Sequence, residues 1–304
     1  MSTPPDATGG RPRVGYLGPA GTFSEEALLA SVAENAVEPV AEPTIYDSVL
    51  ALRRGEIRWA VVPIENSLEG SINVTLDVLA EEVGDVRIVG EVLLGVHHCL
   101  IAVSATVALQ ELETVLTHPQ VPGQCTRFLR GELAHARIVP ASSTAEAVRT
   151  VMEEGSPTQA ALGTVLAAGI YGASVLREGV EDNEHNETRF VWLARAGEQL
   201  DAPLHGEQDG GWKTSVVFQG LRAERPGGLV RCLDEFARRD INLTKIESRP
   251  RRERIGSYMF FVDLAGRIEE RRLADAVAGV GALCEEVRVL GSYRAARSAT
   301  SGAA

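Results

Sequence analysis

Asn186-Glu-Thr-Arg-Phe190 places a hydroxyl, Thr188, and a fixed cation, Arg189, at the entrance of an apolar run that continues to Leu193. A planar guanidinium fork is a natural partner for a carboxylate. Pro63-Ile-Glu-Asn-Ser67 closes the buried-looking run Trp59–Pro63. That is the carboxyl end of a strand, where ligands bind in α/β sheets, so Glu65 and Asn66 are site candidates as well as turn-capping groups. Gly18-Pro-Ala-Gly-Thr-Phe-Ser-Glu25 turns a strand into a helix with Thr22 and Glu25 in capping-box spacing. Its free amides suit an anion, and it serves equally as a plain cap. The glycines at 15, 18 and 21 do not make a dinucleotide fingerprint, and no Gly-Lys-Ser/Thr completes a phosphate loop. Ser143-Thr-Ala-Glu146 is a second capping box, and His118-Pro-Gln-Val-Pro-Gly-Gln-Cys125 offers Gln120 and Gln124 at the start of another helix.

These groups sit in an alternating framework. From Arg13 to Leu193, β-rich runs (Arg13–Leu17, Trp59–Pro63, Arg87–Val103, Thr114–Thr117, Arg137–Pro140, Ala160–Leu162, Phe190–Leu193) alternate with helical patterns (Ser24–Val32, Ser71–Glu82, Gly123–Leu133, Thr144–Glu154). The alternation predicts an α/β region with a largely parallel sheet. His97-His98-Cys99 falls inside the long β-rich run, where neighbouring side chains diverge, so the two imidazoles do not converge on a metal. Ala196–Gly211 lacks apolar periodicity and reads as a linker. After it come strand Lys213–Gln219, helix Gly227–Arg238, strands Asn242–Glu247 and Ile255–Leu264, helix Glu269–Val280 and strand Val287–Leu290, a βαββαβ ferredoxin-like unit. The expected division is a flexible N-terminus 1–12, an α/β region 13–195, a linker 196–211, a ferredoxin-like domain 212–294 and a flexible tail 295–304.

Length and charge narrow the class. With 304 residues, 44% of them hydrophobic and 24% charged, the chain can bury a core in each of two domains. A net charge of −12 is the wrong sign for nucleic-acid or anionic-membrane partners. Nearly all the basic side chains are Arg, with Lys only at 213 and 245. Cys99, Cys125, Cys232 and Cys284 show no paired spacing, which indicates neither a zinc site nor a disulfide framework. No apolar run spans a bilayer, and residues 1–13 do not read as a secretory signal, so a cytoplasmic protein is expected. The sequons at Asn73, Asn186 and Asn242 carry no weight there.

GPAGTFSEEAL, PIENSLEGSINVTLDVL, HPQVPGQC, SSTAEA and NETRF, in this order, resemble prephenate dehydratase. PGGLV and ESRP resemble the ACT regulatory domain of that family, with Gly228 where Ala is usual. The resemblance covers about Arg13 to Tyr293 and implies two α/β lobes similar to type II periplasmic binding proteins, with the active site in the cleft between them. Residues from about Pro12 to Leu94, with the return through Phe190–Leu193, would form one lobe and the central segment the other. The reaction implied is decarboxylating dehydration of prephenate to phenylpyruvate, with no metal or other cofactor.

The resemblance assigns the catalytic set Thr188, Glu65, Asn66, Gln124, Arg189 and Phe190. Thr188 would assist the departing oxygen and Glu65, protonated in a dry cleft, would stand behind it. Asn66 and Gln124 would orient the substrate, and Arg189 would pair with its pyruvyl carboxylate. Phe190 or Phe23 would wall the ring carboxylate. Thr22, Phe23, Ser24, Ser67, Ser143, Thr144 and Asn186 would complete the substrate site. L-phenylalanine, the effector, would bind Gly227, Gly228, Leu229, Val230, Glu247, Ser248, Arg249 and Pro250, in a homodimer or homotetramer built partly through ACT domains. About a dozen residues precede the first strand, which suggests a monofunctional enzyme. Arogenate dehydratase and a non-catalytic phenylalanine sensor are the competing expectations.

Overall fold

The computed structural model describes residues 10–82, 84–200, 211–221, 226–251 and 256–297. The expected N-terminal extension up to residue 9, the linker from 201 to 210, the strand start at Ile255 and the tail from 298 lie outside the described residues. The chain begins with β1 (Arg13–Leu17), α1 (Phe23–Ser31), β2 (Glu38–Glu42), α2 (Ile45–Arg54), β3 (Trp59–Asn66) and a two-residue β4 (Gly70–Ser71). Next come α3 (Asn73–Asp77), a π-helical turn (Val78–Glu82) and β5 (Val86–Gly95). The second lobe contains β6 (Cys99–Ala102), β7 (Thr114–Thr117), α4 (Val121–Gln124), α5 (Thr126–Glu132), β8 (Arg137–Pro140), α6 (Thr144–Glu154), β9 (Gln159–Gly163), α7 (Val165–Tyr171) and β10 (Ser174–Arg177). The chain then returns as β11 (Glu187–Arg195). The C-terminal domain is β12 (Trp212–Gln219), α8 (Gly228–Ala237), β13 (Leu243–Pro250), β14 (Tyr258–Ala265), α9 (Arg271–Gly281) and β15 (Glu286–Arg294).

The first-lobe sheet runs β2-β1-β3-β11-β5, with β4 hairpinned onto β3. Trp59, Ala60, Val61 and Val62 are fully buried, as a central strand covered on both faces requires. The expectation of a largely parallel sheet needs correcting. β1 pairs in parallel with β2 and β3, but β11 is antiparallel to both β3 and β5, because it re-enters from the other lobe. β2 and α2 add to the alternation expected from the sequence, and α2 has clear ends. Thr44 accepts the Asp47 amide at 3.0 Å and Gly55 closes the helix with φ +73°.

The second-lobe sheet, β10-β6-β9-β7-β8, is also mixed, with β6 antiparallel to β9 and β10. The single helix expected over Gly123–Leu133 is two. Cys125 leaves helical geometry (φ −122°, ψ 29°), and Asp182 caps a fresh start by accepting the Thr126 and Arg127 amides at 3.0 and 2.9 Å. The long β-rich run also divides: Val96–His98 lies outside any strand and is one of the two crossings between the lobes. The lobes touch again at Gly21, whose carbonyl accepts the Thr164 hydroxyl at 2.7 Å.

The C-terminal sheet, β13-β14-β12-β15, lays one face on the first lobe. Val217, Phe261, Leu290 and Tyr293 share one buried cluster with Ile88, Val191 and Leu193, so this domain is packed against the catalytic sheet through a common core. β15 crosses β5 closely enough that a Cβ on Gly291 would fall on the Ile88 carbonyl oxygen. Among the described residues, no helix is long and apolar enough to cross a membrane.

Candidate active site

A cavity of about 740 Å³ lies between the lobes. Asn66 ends β3 and Thr188 begins β11, and the antiparallel register sets them opposite one another. Asn66 Oδ1 accepts the amides of Leu68 and Glu69, each at 2.9 Å, an Asx turn that fixes the orientation of its carboxamide. Its Nδ2 therefore faces away, donating to Asn186 Oδ1 at 2.8 Å and to Thr188 Oγ1 at 2.9 Å. Thr188 thus accepts through its oxygen, which leaves its own proton to be offered to a ligand in the cleft.

The second lobe continues the network. Gln124 Oε1 accepts Asn186 Nδ2 at 3.2 Å and meets His98 Nε2 at 3.1 Å. Its Nε2 donates across the cleft to Glu69 at 3.2 Å, and Gln120 reaches the same carboxylate at 3.4 Å. Burial pushes the His98 pKa below the ordinary histidine value, against the pull of Gln124 and Glu181. Because Gln124 Oε1 can only accept, His98 Nε2 carries the hydrogen of that contact.

Among the described residues, the wall contains Glu42, Glu69 and Glu146 but no Arg or Lys. It does contain the first turns of α1, α2 and α6, through Thr22, Phe23 and Ser24, Ile45, and Ser143 and Thr144. Each cap hydroxyl takes one amide, that of Glu25, Asp47 or Glu146, and the earlier amides with the helix dipoles are the positive elements of this cleft. Burial, then Asp47 and Glu56, push the Glu42 carboxyl above the usual range, while Arg13 pulls it down.

The cleft brings together Thr188, Asn66, Gln124, Thr22, Phe23, Ser24, Ser143 and Thr144. Asn186 and Ser67 stand behind it, with Asn186 tied to Asn66 and the Ser67 hydroxyl accepting the Glu187 amide at 3.0 Å. Arg189 is a correction. Next to Thr188 on a strand it must face the opposite way, and it lies 7% exposed beneath the C-terminal domain. Its guanidinium lies 2.6 Å from Asp263, 3.4 Å from Glu91 and 3.3 Å from Glu65. Burial opposes its charge, but Asp263, Tyr293, Glu91 and Glu65 together raise its pKa above the ordinary arginine value.

Glu65 is corrected for the same reason. It is paired with Arg189 across the ladder and sits 3.1 Å from Lys245 Nζ, outside the cleft wall. Phe190 is buried in the core under the first lobe, so Phe23 alone of the two aromatic rings lines the cleft. The effector set is divided. Gly227, with φ +82°, caps α8 ahead of Gly228, Leu229 and Val230. On β13, Glu247 and Arg249 turn towards the first lobe, and Ser248 and Pro250 are exposed on the other face.

Sequence reasoning passed over Glu42, Glu69, His98, His118 and Ser142, all of which line the cavity. Glu69 carried a readable signal, three residues after an Asn that could open an Asx turn. His98 carried none, because its strand assignment hid the crossing. Among the described hydrogen bonds His98 meets Gln124 and His118 accepts the Gln120 amide.

The profile of the prephenate dehydratase family matches residues 14–198, and that of the ACT domain residues 215–282. A prephenate dehydratase of Amycolatopsis methanolica is 38% identical over 285 residues, covering 92% of this chain and 88% of that one. The crystal structure of prephenate dehydratase from Arthrobacter aurescens in complex with L-Phe is 35% identical, with a TM-score of 0.83 and coverage of 96% and 92%. GqqA, described as a novel type of quorum quenching acylase, is 27% identical, with a TM-score of 0.80 and coverage of 93% and 98%.

Proposed function

The chain belongs to the prephenate dehydratase family, and on that premise we propose how its cleft converts prephenate. The reaction is a lyase step. The bond from the ring to its carboxylate breaks and its electron pair enters the ring. The carbon–oxygen bond across the ring then breaks, and the departing hydroxide takes a proton to leave as water. Phenylpyruvate and CO2 are the other products, and the chemistry serves phenylalanine biosynthesis.

Hydroxide leaves poorly, so hydrogen-bond donation to it is the main demand. The observation that carries the reading is the Asn66-to-Thr188 hydrogen bond of 2.9 Å, which turns the threonine proton towards the substrate. A donor of this kind is worth roughly 10²- to 10⁴-fold. The threonine hydroxyl is too weak an acid to supply the proton outright. Glu42, which lines the same cleft as Thr188 and whose carboxyl burial pushes above the usual range, is the source assigned to replace Glu65. Gln124 orients the substrate from the other lobe.

The two substrate carboxylates are held by the first turns of α1 and α6 on opposite walls, in place of arginine. Phe23 covers the ring carboxylate, where loss of solvation favours decarboxylation. The ACT domain binds L-phenylalanine and inhibits the enzyme, a reading supported by the likeness to the Arthrobacter aurescens complex. Val230, Ile246 and Tyr258, 68%, 43% and 45% exposed on that domain, support a homodimer or homotetramer formed through it. The biosynthetic role supports a cytoplasmic location.

The test is phenylpyruvate formation by the purified chain from prephenate, beside arogenate, with and without L-phenylalanine. Turnover of prephenate that L-phenylalanine inhibits is expected. Preference for arogenate would reassign the substrate. Binding of L-phenylalanine without turnover of either would make the chain a sensor.

A further inference from the structure

β13 is one of the two edge strands of the ACT sheet, and three successive side chains on one of its faces hold the first lobe. Lys245 Nζ lies 3.1 Å from Glu65, Glu247 accepts the Ser71 hydroxyl at 3.0 Å, and Arg249 donates twice to Asp77 at 3.0 and 2.8 Å. Glu65 and Ser71 are not scattered points. They are paired residues on the two legs of the β3–β4 hairpin. The tip of that hairpin carries Asn66, which orients Thr188, and Glu69, which reaches Gln124 across the cleft. Asp77 ends the helix that continues from the hairpin. The opposite face of β13, with Ile246, Ser248 and Pro250, is exposed.

We propose that Ser71 and Asp77 are positioning residues through which the ACT domain controls the catalytic hairpin. A ligand that shifts β13 from its exposed side moves Glu247 and Arg249 on the other. These draw on the hairpin leg at Ser71 and on α3 at Asp77, and displace Asn66 from Thr188. The alternation of a strand makes this coupling direct, since its two faces are carried on one backbone. The charged contacts are short and partly shielded, Arg249 and Asp77 having side chains 18% and 10% exposed, so the link is stiff enough to transmit a shift. The proposal rests on the reading that L-phenylalanine binds the ACT domain and inhibits turnover.

The experiment uses the full chain, with Ser71→Ala and Asp77→Asn made separately. L-phenylalanine binding is measured by calorimetry, and prephenate turnover is measured across L-phenylalanine concentrations. The expected result is binding within about twofold of the parent and, at saturating L-phenylalanine, a ratio of uninhibited to inhibited turnover lowered at least fivefold, within the roughly 5- to 150-fold typical of site-to-site coupling. If Asp77→Asn leaves Arg249 uncompensated and fails to fold, Ser71→Ala, which deletes one hydroxyl, carries the test alone. Variants inhibited like the parent overturn the proposal, as do variants that no longer bind L-phenylalanine. A parent that L-phenylalanine neither binds nor inhibits overturns the underlying reading and the proposal with it.

Discussion

Replacing Arg189 with Met separates two roles for that residue by their magnitudes. In the structure Arg189 is 7% exposed, and its guanidinium neutralises Asp263 of the ACT domain at 2.6 Å and Glu91 at 3.4 Å. Removing one partner of a buried pair costs about 3–5 kcal/mol. Here the low end is expected. Glu91 keeps Lys213 Nζ at 2.7 and 2.9 Å, and Asp263 keeps the Ser215 hydroxyl at 2.5 Å. A loss of about 3 kcal/mol lowers Tm by roughly 6–12 °C. The KM for prephenate, measured where the variant is folded, should stay within about threefold of the parent. Were Arg189 instead bound to a substrate carboxylate, losing a charged hydrogen bond of about 1.5–3 kcal/mol would raise KM roughly 10- to 150-fold. Thermal melts and steady-state kinetics on the same preparation decide. An unchanged Tm with a tenfold or greater rise in KM refutes the reasoning. A double variant that also carries Asp263→Leu should recover part of the lost stability, since it removes the orphaned charge.

His98 sets a pH dependence of stability. Burial holds its folded pKa below the ordinary 6.5, so above that value both states are neutral. As pH falls below about 6.5 the unfolded chain binds a proton that the folded one refuses, and stability declines until the depressed pKa is passed. Urea midpoints at pH 7.5 and 5.5 should show this decline in the parent and a smaller one in His98→Gln. Gly21→Ala should open the contact between the lobes. Gly21 has φ +89°, and an added Cβ would sit 2.8 Å from the Cα and Cβ of Ala167, beside the Thr164 hydroxyl bond. A cost of about 2–4 kcal/mol, from strain and overpacking together, is expected in urea unfolding. Gly155→Ala, at φ +65° with nothing within 4 Å, should cost only about 1 kcal/mol.

Much of the frame could be read before the structure. Thr22 with Glu25 and Ser143 with Glu146 form the caps that their spacing announces, and the C-terminal βαββαβ order needs no revision beyond its ends. The cleft was partly legible because its donors lie at strand ends and helix starts. Arg189 and Glu65 were misplaced because which strand face points to the cleft depends on what covers the other face. That cover is the ACT sheet, which begins only at Trp212, well after β11 ends at Arg195. The alternation rule applied to His97 and His98 would also have separated Thr188 from Arg189. The bond between Asn66 and Thr188 depends on register between strands 122 residues apart, which no local pattern encodes.

The central claim is that the Thr188 proton, aimed by Asn66, assists the departing hydroxide. Thr188→Val keeps the shape and removes that proton, so its kcat and KM for prephenate test the claim most directly. A fall in kcat of roughly 10²- to 10⁴-fold with KM near that of the parent is predicted. A kcat within a few-fold of the parent in a folded Thr188→Val enzyme would contradict it.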